Sequence, residues 1–211
     1  TVGQRDVHVL AAHDPVERLH KGGKQRIVLL ERDVVTPGSH QNRWVEDYLR
    51  RGGRVLVLEQ KHSLFPGVAL ESKPQIHGFP RAYGHPVLAG FTQEDLQFWG
   101  EDPYAAMNTD AHIAHRLYQK GDECLLQPLV DAGEGGFGLK LPEWIALGEL
   151  RIGTGRLLAS QFRFAEKGAS IPEAGRLFAA MLDDLLADIA KELPRFVEAE
   201  VSDVPALNNA L

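Results

Sequence analysis

Short apolar runs and one amphipathic segment alternate along the first third of the chain. The runs 7–11 and 26–30 are compact and rich in aliphatic residues, which predicts two strands. Apolar residues recur at helical spacing over 44–49, so a helix is predicted there, ending at the glycine pair 52–53. The run 55–58 then predicts a strand buried on both faces, as in a parallel sheet. This order is typical of the βαβ unit of an α/β fold.

The middle of the chain has no clear period. Residues 61–110 carry prolines spread among aromatic side chains, and they predict a long irregular insertion that packs onto the sheet. After this insertion, 123–130 predicts another strand. The runs 144–150 and 156–162 flank a glycine-rich turn and predict a β-hairpin.

A helix near the end has the strongest pattern in the sequence. Ser170 and Glu173 have the spacing of a capping box around Pro172, which the first turn of a helix tolerates. Apolar residues then keep a helical period over 177–189. Residues 194–211 lose that period and are expected to form a tail. No repeat or linker divides the chain, so we predict a single α/β domain over residues 1–211.

Composition and charge narrow the class of protein. The 211 residues are 44% hydrophobic and 25% charged, as in globular proteins. Lys and Arg number 23 against 29 Asp and Glu, so no nucleic-acid partner is expected. No apolar run approaches the ~20 residues that span a bilayer, so no membrane partner is expected and the compartment stays undefined. The start at Thr1, with neither methionine nor a signal-like stretch, suggests a piece of a longer protein.

Three motifs could carry chemistry, and each has a simpler interpretation. The glycines of 133–138 fit G-x-G-x-x-G, but β-like sequence follows them where a cofactor loop needs a helix. His112 and His115 would share one face of a helix, without a third metal ligand. Cys124, the single cysteine, lies in a predicted strand, where cysteine is usually a small buried residue. We therefore expect no cofactor and no metal.

Polar residues that follow predicted strands are the best candidates for a ligand site. Glu59 and Gln60 follow the run 55–58, at the edge where open α/β sheets place ligands. Gln161 and Arg163 follow a second strand and could line the same crevice. Two carboxylates at a suitable distance could hydrolyse a glycoside, but spacing alone brings no pair together. The sequence therefore predicts a weak ligand site and no catalytic residue.

Aromatic residues over 79–104 suggest a second candidate surface. Tyr83, Trp99 and Tyr104 could form an exposed platform that binds a carbohydrate or a protein. The alternative is that they pin the long insertion onto the sheet, and we favour that interpretation. Tyr83 and Trp99 remain candidate ligand-binding residues.

Three segments resemble a known family. The run 48–60, YLRRGGRVLVLEQ, resembles the helix, glycine pair and strand of class I glutamine amidotransferase-like domains. Residues 85–99 are similar to the segment found where such a domain is attached to β-galactosidase-like glycoside hydrolases, and 153–162 is similar to the closing hairpin. The resemblance implies a three-layer flavodoxin-like sandwich with a mainly parallel sheet, followed by a C-terminal β-hairpin plus helix.

The catalytic residues of that family are missing. In active members a cysteine follows the strand equivalent to 55–58, and an H-x-E pair follows near the end of the domain. Here the turn 59–62 reads EQKH, and the last histidine, His115, precedes Cys124. A cysteine followed by a histidine is therefore impossible in this chain, and glutaminase activity is not expected.

The resemblance and the missing residues together imply an accessory role. We expect a non-catalytic domain of a multidomain glycoside hydrolase, serving packing, assembly or shaping of the active site. Its partners would be the remaining domains of the parent enzyme, with a second copy of the chain and a carbohydrate left open. Two alternatives remain: a carbohydrate- or protein-binding module using 79–104, and a stand-alone glycoside hydrolase using the strand-end carboxylates.

Overall fold

A computed structural model describes residues 7–10, 27–36, 41–100, 111–121, 124–133 and 143–187. Within these residues the chain forms nine strands and three helices. The strands are β1 (Val7–Leu10), β2 (Ile27–Leu30), β3 (Arg54–Val57), β4 (Leu70–Gln75), β5 (Gly78–Pro80), β6 (Ala114–Gln119), β7 (Gln127–Ala132), β8 (Trp144–Ile152) and β9 (Gly155–Ser160). The helices are α1 (Gln41–Arg50), α2 (Phe164–Lys167) and α3 (172–187). Short 3-10 turns lie at Pro86–Leu88 and Glu94–Leu96.

One half of the sheet is parallel, in the order β1-β2-β3-β9. Helix α1 connects β2 to β3 and ends at Arg50, and Gly52 follows it with a positive φ of 84°, which suits the residue after a helix. The helix packs very closely on the start of β9, because a Cβ added to Gly155 would lie 2.0 Å from the carbonyl oxygen of Leu49. Only glycine allows this approach, which explains the residue type at that turn.

The other half is antiparallel and its pairings close into a ring. Strand β8 pairs with β9, β6 and β7. Strand β6 pairs with β4, and β7 pairs with β5. Strands β4 and β5 are successive parts of one segment, separated only by Ile76 and His77. The half therefore has few free sheet edges among the described residues.

The predicted sheet type is wrong. Among the described strands five pairings are antiparallel and three are parallel, which contradicts a mainly parallel flavodoxin-like sandwich. The main cause lies in 61–110, which supplies β4 and β5 and is not simply an irregular insertion. Strand β4 reads LESKPQ, and its register shifts between Ser72 and Gln75, around Pro74. Such a polar, proline-containing strand carries no apolar period that would reveal it.

Several local predictions are confirmed. The hairpin of β8 and β9, the strand character of β1, β2 and β3, and helix α1 lie where the apolar pattern indicates them. Helix α3 begins at residue 172, two residues after Ser170, and is described to residue 187. The predicted strand at 123–130 is shifted to Gln127–Ala132. The predicted tail, 194–211, lies outside the described residues.

Two apolar layers cover the parallel half. Alternate residues such as Leu29 and Leu56 face a core that includes α3, whereas Val28 and Val57 face a core that includes α1. Since both faces are covered, these strands are apolar without alternation, as the sequence shows. Their carboxyl ends then meet at one edge, and polar residues follow there.

Candidate ligand site at the carboxyl ends of the parallel strands

The candidate site lies where β2, β3 and β9 end. Residues 31–33 follow β2, Glu59 and Gln60 follow β3, and Gln161 and Arg163 follow β9. Parallel strands bring these segments to the same edge of the sheet, and α2 begins directly after Arg163. The structure therefore brings together all four residues predicted from the strand ends.

Gln60 and Gln161 are structural groups in this arrangement, and both are fully buried. The amide nitrogen of the Gln60 side chain donates to the carbonyl oxygens of Glu31, at 2.5 Å, and Leu58, at 3.0 Å. Its side-chain oxygen accepts from the backbone N–H of Val35 at 2.9 Å. The backbone N–H of Gln60 donates to the side-chain oxygen of Gln161 at 3.3 Å. Gln60 therefore ties the loop after β2 to β3, which leaves little of its amide for a ligand.

Arg32 links three elements through its guanidinium. Its Nε lies 3.2 Å from Oε2 of Glu59, and its Nη1 donates to Oε1 of Glu166 at 2.6 Å. Asp33 lies at the margin of the same group, 3.8 Å from Nε. Arg163 donates from Nε to Oε2 of Glu166 at 2.8 Å, so two arginines hold one carboxylate of α2. The result is a charge network at the strand ends in which both arginines are paired with carboxylates.

The two glutamates of this network have different environments. Glu59 is only 2% exposed, and neither of its carboxylate oxygens accepts a hydrogen bond from the described residues. Burial raises the pKa of Glu59, and the nearby charge of Arg32 offsets only part of that effect. Burial acts the same way on Glu166, but hydrogen bonds from Arg163 and Arg32 outweigh it and lower the pKa of Glu166. The site thus contains one glutamate with a raised pKa, Glu59, and one with a lowered pKa, Glu166.

A cavity of about 620 Å³ adjoins this network. Its wall is mainly apolar and is formed by the ends of β2 and β3, by α2 and by the start of α3. The lining residues are Leu29, Glu31, Arg32, Leu58, Phe164, Ala165, Gly168, Ala169, Gly175 and Phe178. Glu59 is not among them, although it contacts Arg32. A ligand in the cavity would therefore meet Arg32 and Glu31, with Glu59 behind them.

His112 and His115, the two histidines identified by their spacing, lie near Arg163 of the charge network. His115 belongs to strand β6, and His112 precedes it, so the segment is not the helix on which the metal hypothesis depends. Their rings lie 5.8 Å apart at an angle of 87°. Burial, followed by the charge of Arg163, lowers the pKa of both. The described residues contain no group of three or more side chains that could hold a metal ion.

The structure separates the aromatic candidates. Tyr83 is 69% exposed. Trp99 is 1% exposed and stacks on Phe162 with ring centroids 4.9 Å apart, and its Nε1 donates to the carbonyl oxygen of Asp95 at 3.1 Å. Tyr104 lies outside the described residues. Trp99 therefore belongs to the core, as expected if the aromatic residues pack the segment onto the sheet, whereas the side chain of Tyr83 is exposed.

Sequence reasoning missed Arg32 and Glu166. Arg32 lies in a charged triplet directly after a buried strand, and the same rule that selected Glu59 could have found it. Glu166 carries no comparable signal, because it lies in a four-residue helix with no amphipathic pattern. Its role comes from contacts with residues far away in the sequence.

Comparisons with known proteins leave the family of this chain open. No protein-family model and no curated protein matches it. Among solved structures it is similar to the "Cytoplasmic Protein STM3548 from Salmonella typhimurium", with 12% identity and a TM-score of 0.46 over 80% of this chain and 74% of that one. Within the described residues no helix combines the length and the apolar character needed to cross a membrane.

Proposed function

We propose that the chain is a non-catalytic accessory domain of a multidomain glycoside hydrolase, serving packing, assembly or active-site shaping. The supporting observation is that Gln60, Arg32, Arg163 and Glu166 at the strand ends already have partners within the chain. The side-chain amide of Gln60 is hydrogen-bonded to backbone groups, and Arg32 and Arg163 both donate hydrogen bonds to Glu166. At the turn where an active amidotransferase has its nucleophile, this chain has a buried glutamate, Glu59.

The glycoside hydrolase part of the proposal rests on sequence resemblance. Segments 48–60, 85–99 and 153–162 resemble amidotransferase-like domains attached to such enzymes. The segment 85–99 also has a structural role that suits a scaffold. Within it Trp99 and Leu96 are buried in the core, and His85 caps the turn at Pro86–Leu88.

A stand-alone glycoside hydrolase is the second candidate, and one observation favours it. Glu59 and Glu166 contact the same guanidinium, and their pKa values are displaced in opposite directions, as in an acid and base pair. The position of Glu59 argues against this function, because Glu59 is buried and does not line the cavity that a substrate would enter. A substrate in the cavity would reach Arg32 before it reached Glu59.

An activity assay separates these two functions. The purified chain is incubated with a panel of aryl glycosides and, separately, with L-glutamine, and released product is measured against a heat-treated sample. We expect no turnover of either class. Turnover that Glu59→Gln abolishes, and that the matched exposed variant Glu71→Gln retains, would establish the hydrolase and overturn the accessory role.

The gene itself tests the accessory role. The proposal expects the coding sequence around these 211 residues to continue into a glycoside hydrolase domain in the same reading frame. An uninterrupted gene that encodes this chain without any hydrolase domain would contradict the proposal. Neither outcome depends on whether the strand-end cavity binds a ligand.

A further inference from the structure

The cavity beside Arg32 has the properties of a ligand site that the accessory role does not require. We propose that it binds an uncharged aromatic molecule that carries one hydrogen-bonding group. The inference goes beyond the proposed function, since it concerns this cavity alone. It rests on the position, the lining and the charge of the cavity.

Position and size both suit a small molecule. The cavity opens at the carboxyl ends of the parallel strands β2 and β3, between Leu29 and Leu58 on one side and α2 on the other. Ligands of open α/β sheets bind outside the carboxyl ends of their strands. Its volume of about 620 Å³ falls within the range typical of small-molecule sites.

The lining selects a flat, apolar body. Phe164 and Phe178 form an aromatic wall with ring centroids 5.7 Å apart and planes inclined by 51°. Ala165, Ala169 and Gly175 are small residues of the same lining, so they leave the cavity open beside the two phenylalanines. A sugar would leave most of its hydroxyl groups without partners against such a wall, which costs binding free energy.

Charge around the mouth disfavours an anion. Arg32 is already in contact with three carboxylates, those of Asp33, Glu59 and Glu166. A negatively charged ligand would have to displace one of them or remain next to all three. Glu31 and Arg32 are the charged groups of the lining, so they can hydrogen-bond to a single polar edge of an otherwise apolar molecule.

Indole is a suitable probe, because it is a flat, uncharged aromatic with one N–H donor. The chain labelled with ¹⁵N is titrated with indole, and the backbone amides of Gly168 and Gly175, which line the cavity, are followed by NMR. We expect saturable shifts of both amides. An absence of saturable shifts up to the solubility limit of indole would overturn the proposal.

Filling the cavity tests its location. Ala169 lines the cavity and is exposed, so Ala169→Phe should fill the site without disturbing the core and weaken indole binding at least about tenfold. The matched control is Ala179→Phe, an exposed position of α3 outside the lining, and it should bind as the unmodified chain does. If Ala169→Phe unfolds, Ala165→Leu serves as the second filling variant. Unchanged indole binding by a folded filling variant would refute the assignment.

Two further probes test the chemical class. Benzoate has the same flat body with a negative charge, and methyl β-D-glucopyranoside is uncharged but polar on all sides. We expect each to bind at least about tenfold more weakly than indole. Benzoate or the glucoside binding as tightly as indole would overturn the chemical class proposed here. The glycosidase assay is independent of these titrations, so failure of one proposal does not affect the other.

Discussion

Two clusters among the described residues, at opposite ends of the parallel strands, each place an arginine beside acidic side chains from other elements. At the carboxyl ends of the parallel strands, Arg32 contacts Glu59 and Glu166. At the beginning of β9, Arg156 donates to Glu149 on β8, and it contacts Asp184 on α3 at 2.7 Å. Each cluster centres on one arginine and two carboxylates from other elements, and the two differ in burial and in hydrogen bonding.

Burial is deep for the whole of the Arg156 cluster and uneven for the other. The side chains of Arg156, Glu149 and Asp184 are 5%, 3% and 8% exposed. Those of Arg32 and Glu166 are 35% and 33% exposed, and only Glu59, at 3%, is buried. One cluster therefore lies in the core against α3, while the other opens onto a cavity and solvent.

Hydrogen bonding decides the opposite pKa values of two equally buried glutamates. Burial alone raises the pKa of Glu149, but the contact with His85, the hydrogen bonds from Arg151 and Arg156 and the charge of Arg156 outweigh it and lower the pKa to about 2. Arg156 and Arg151 donate to it at 2.7 and 3.0 Å. Glu59 receives an ion-pair contact without a hydrogen bond, and its pKa rises. The contrast shows that a buried carboxylate stays ionised where hydrogen-bond donors and a close cation act on it together.

The largest effect is expected for Arg156→Met. The substitution leaves Glu149 and Asp184 buried without their common partner, and removal of one partner from a buried ion pair costs about 3–5 kcal/mol. Urea unfolding at pH 7 measures the loss. A loss below about 1 kcal/mol would mean that the cluster is much better hydrated than its burial indicates.

Glu149→Gln should lower the free energy of unfolding less than Arg156→Met does, and the size of its effect should depend on pH. The pKa of Glu149 is depressed in the folded chain, so its stabilising effect is complete above the unfolded value of 4.5 and is lost as the pH falls towards 2. At pH 7 we expect a loss of about 1–3 kcal/mol. The difference between the unfolding free energies of the variant and the original chain should become smaller as the pH is lowered from 7 to 3. A difference that is independent of pH would contradict the lowered pKa.

Arg32→Met tests the open cluster with the same substitution. We expect a loss of about 1 kcal/mol, because Arg32 is partly exposed, Glu166 keeps Arg163 as a partner, and Glu59 can take up a proton. Urea unfolding at pH 7, run beside Arg156→Met, gives the comparison directly. Equal losses for the two arginine variants would remove the distinction between the clusters.

Glu59→Gln should have the smallest effect and the opposite sign. The folded pKa of Glu59 is raised, so the original chain loses stability relative to the variant as the pH rises above 4.5 and through that folded pKa. At pH 7 we expect the variant to be as stable as the original chain or more stable, by less than about 1 kcal/mol. The measurement is a pair of urea titrations at pH 4 and pH 8. A variant that is clearly less stable at pH 8 would show that Glu59 is stabilised as an anion.

The sequence by itself determined the local elements of this protein. Apolar periods located β2, β3, α1 and α3, and the turn 153–155 located the hairpin of β8 and β9. The buried character of 55–58 also indicated a strand covered on both faces, which α1 and α3 explain. These features depend on residues close together in the chain, so their pattern can be recognised without the fold. Placing Glu59, Gln60, Gln161 and Arg163 at one edge followed from that pattern.

Tertiary structure alone decided the antiparallel half, the charge network and the cavity. Strand β4 is polar and contains Pro74, and it is a strand only because β6 pairs with it. Arg32 and Glu166 are 134 positions apart, and no local pattern predicts their contact. The opposite pKa values of Glu59 and Glu149 likewise depend on which distant donors reach each buried carboxylate. The period of apolar residues in a sequence indicates which positions are buried. Which strands pair, and which distant side chains meet, depends on the packing of the whole chain.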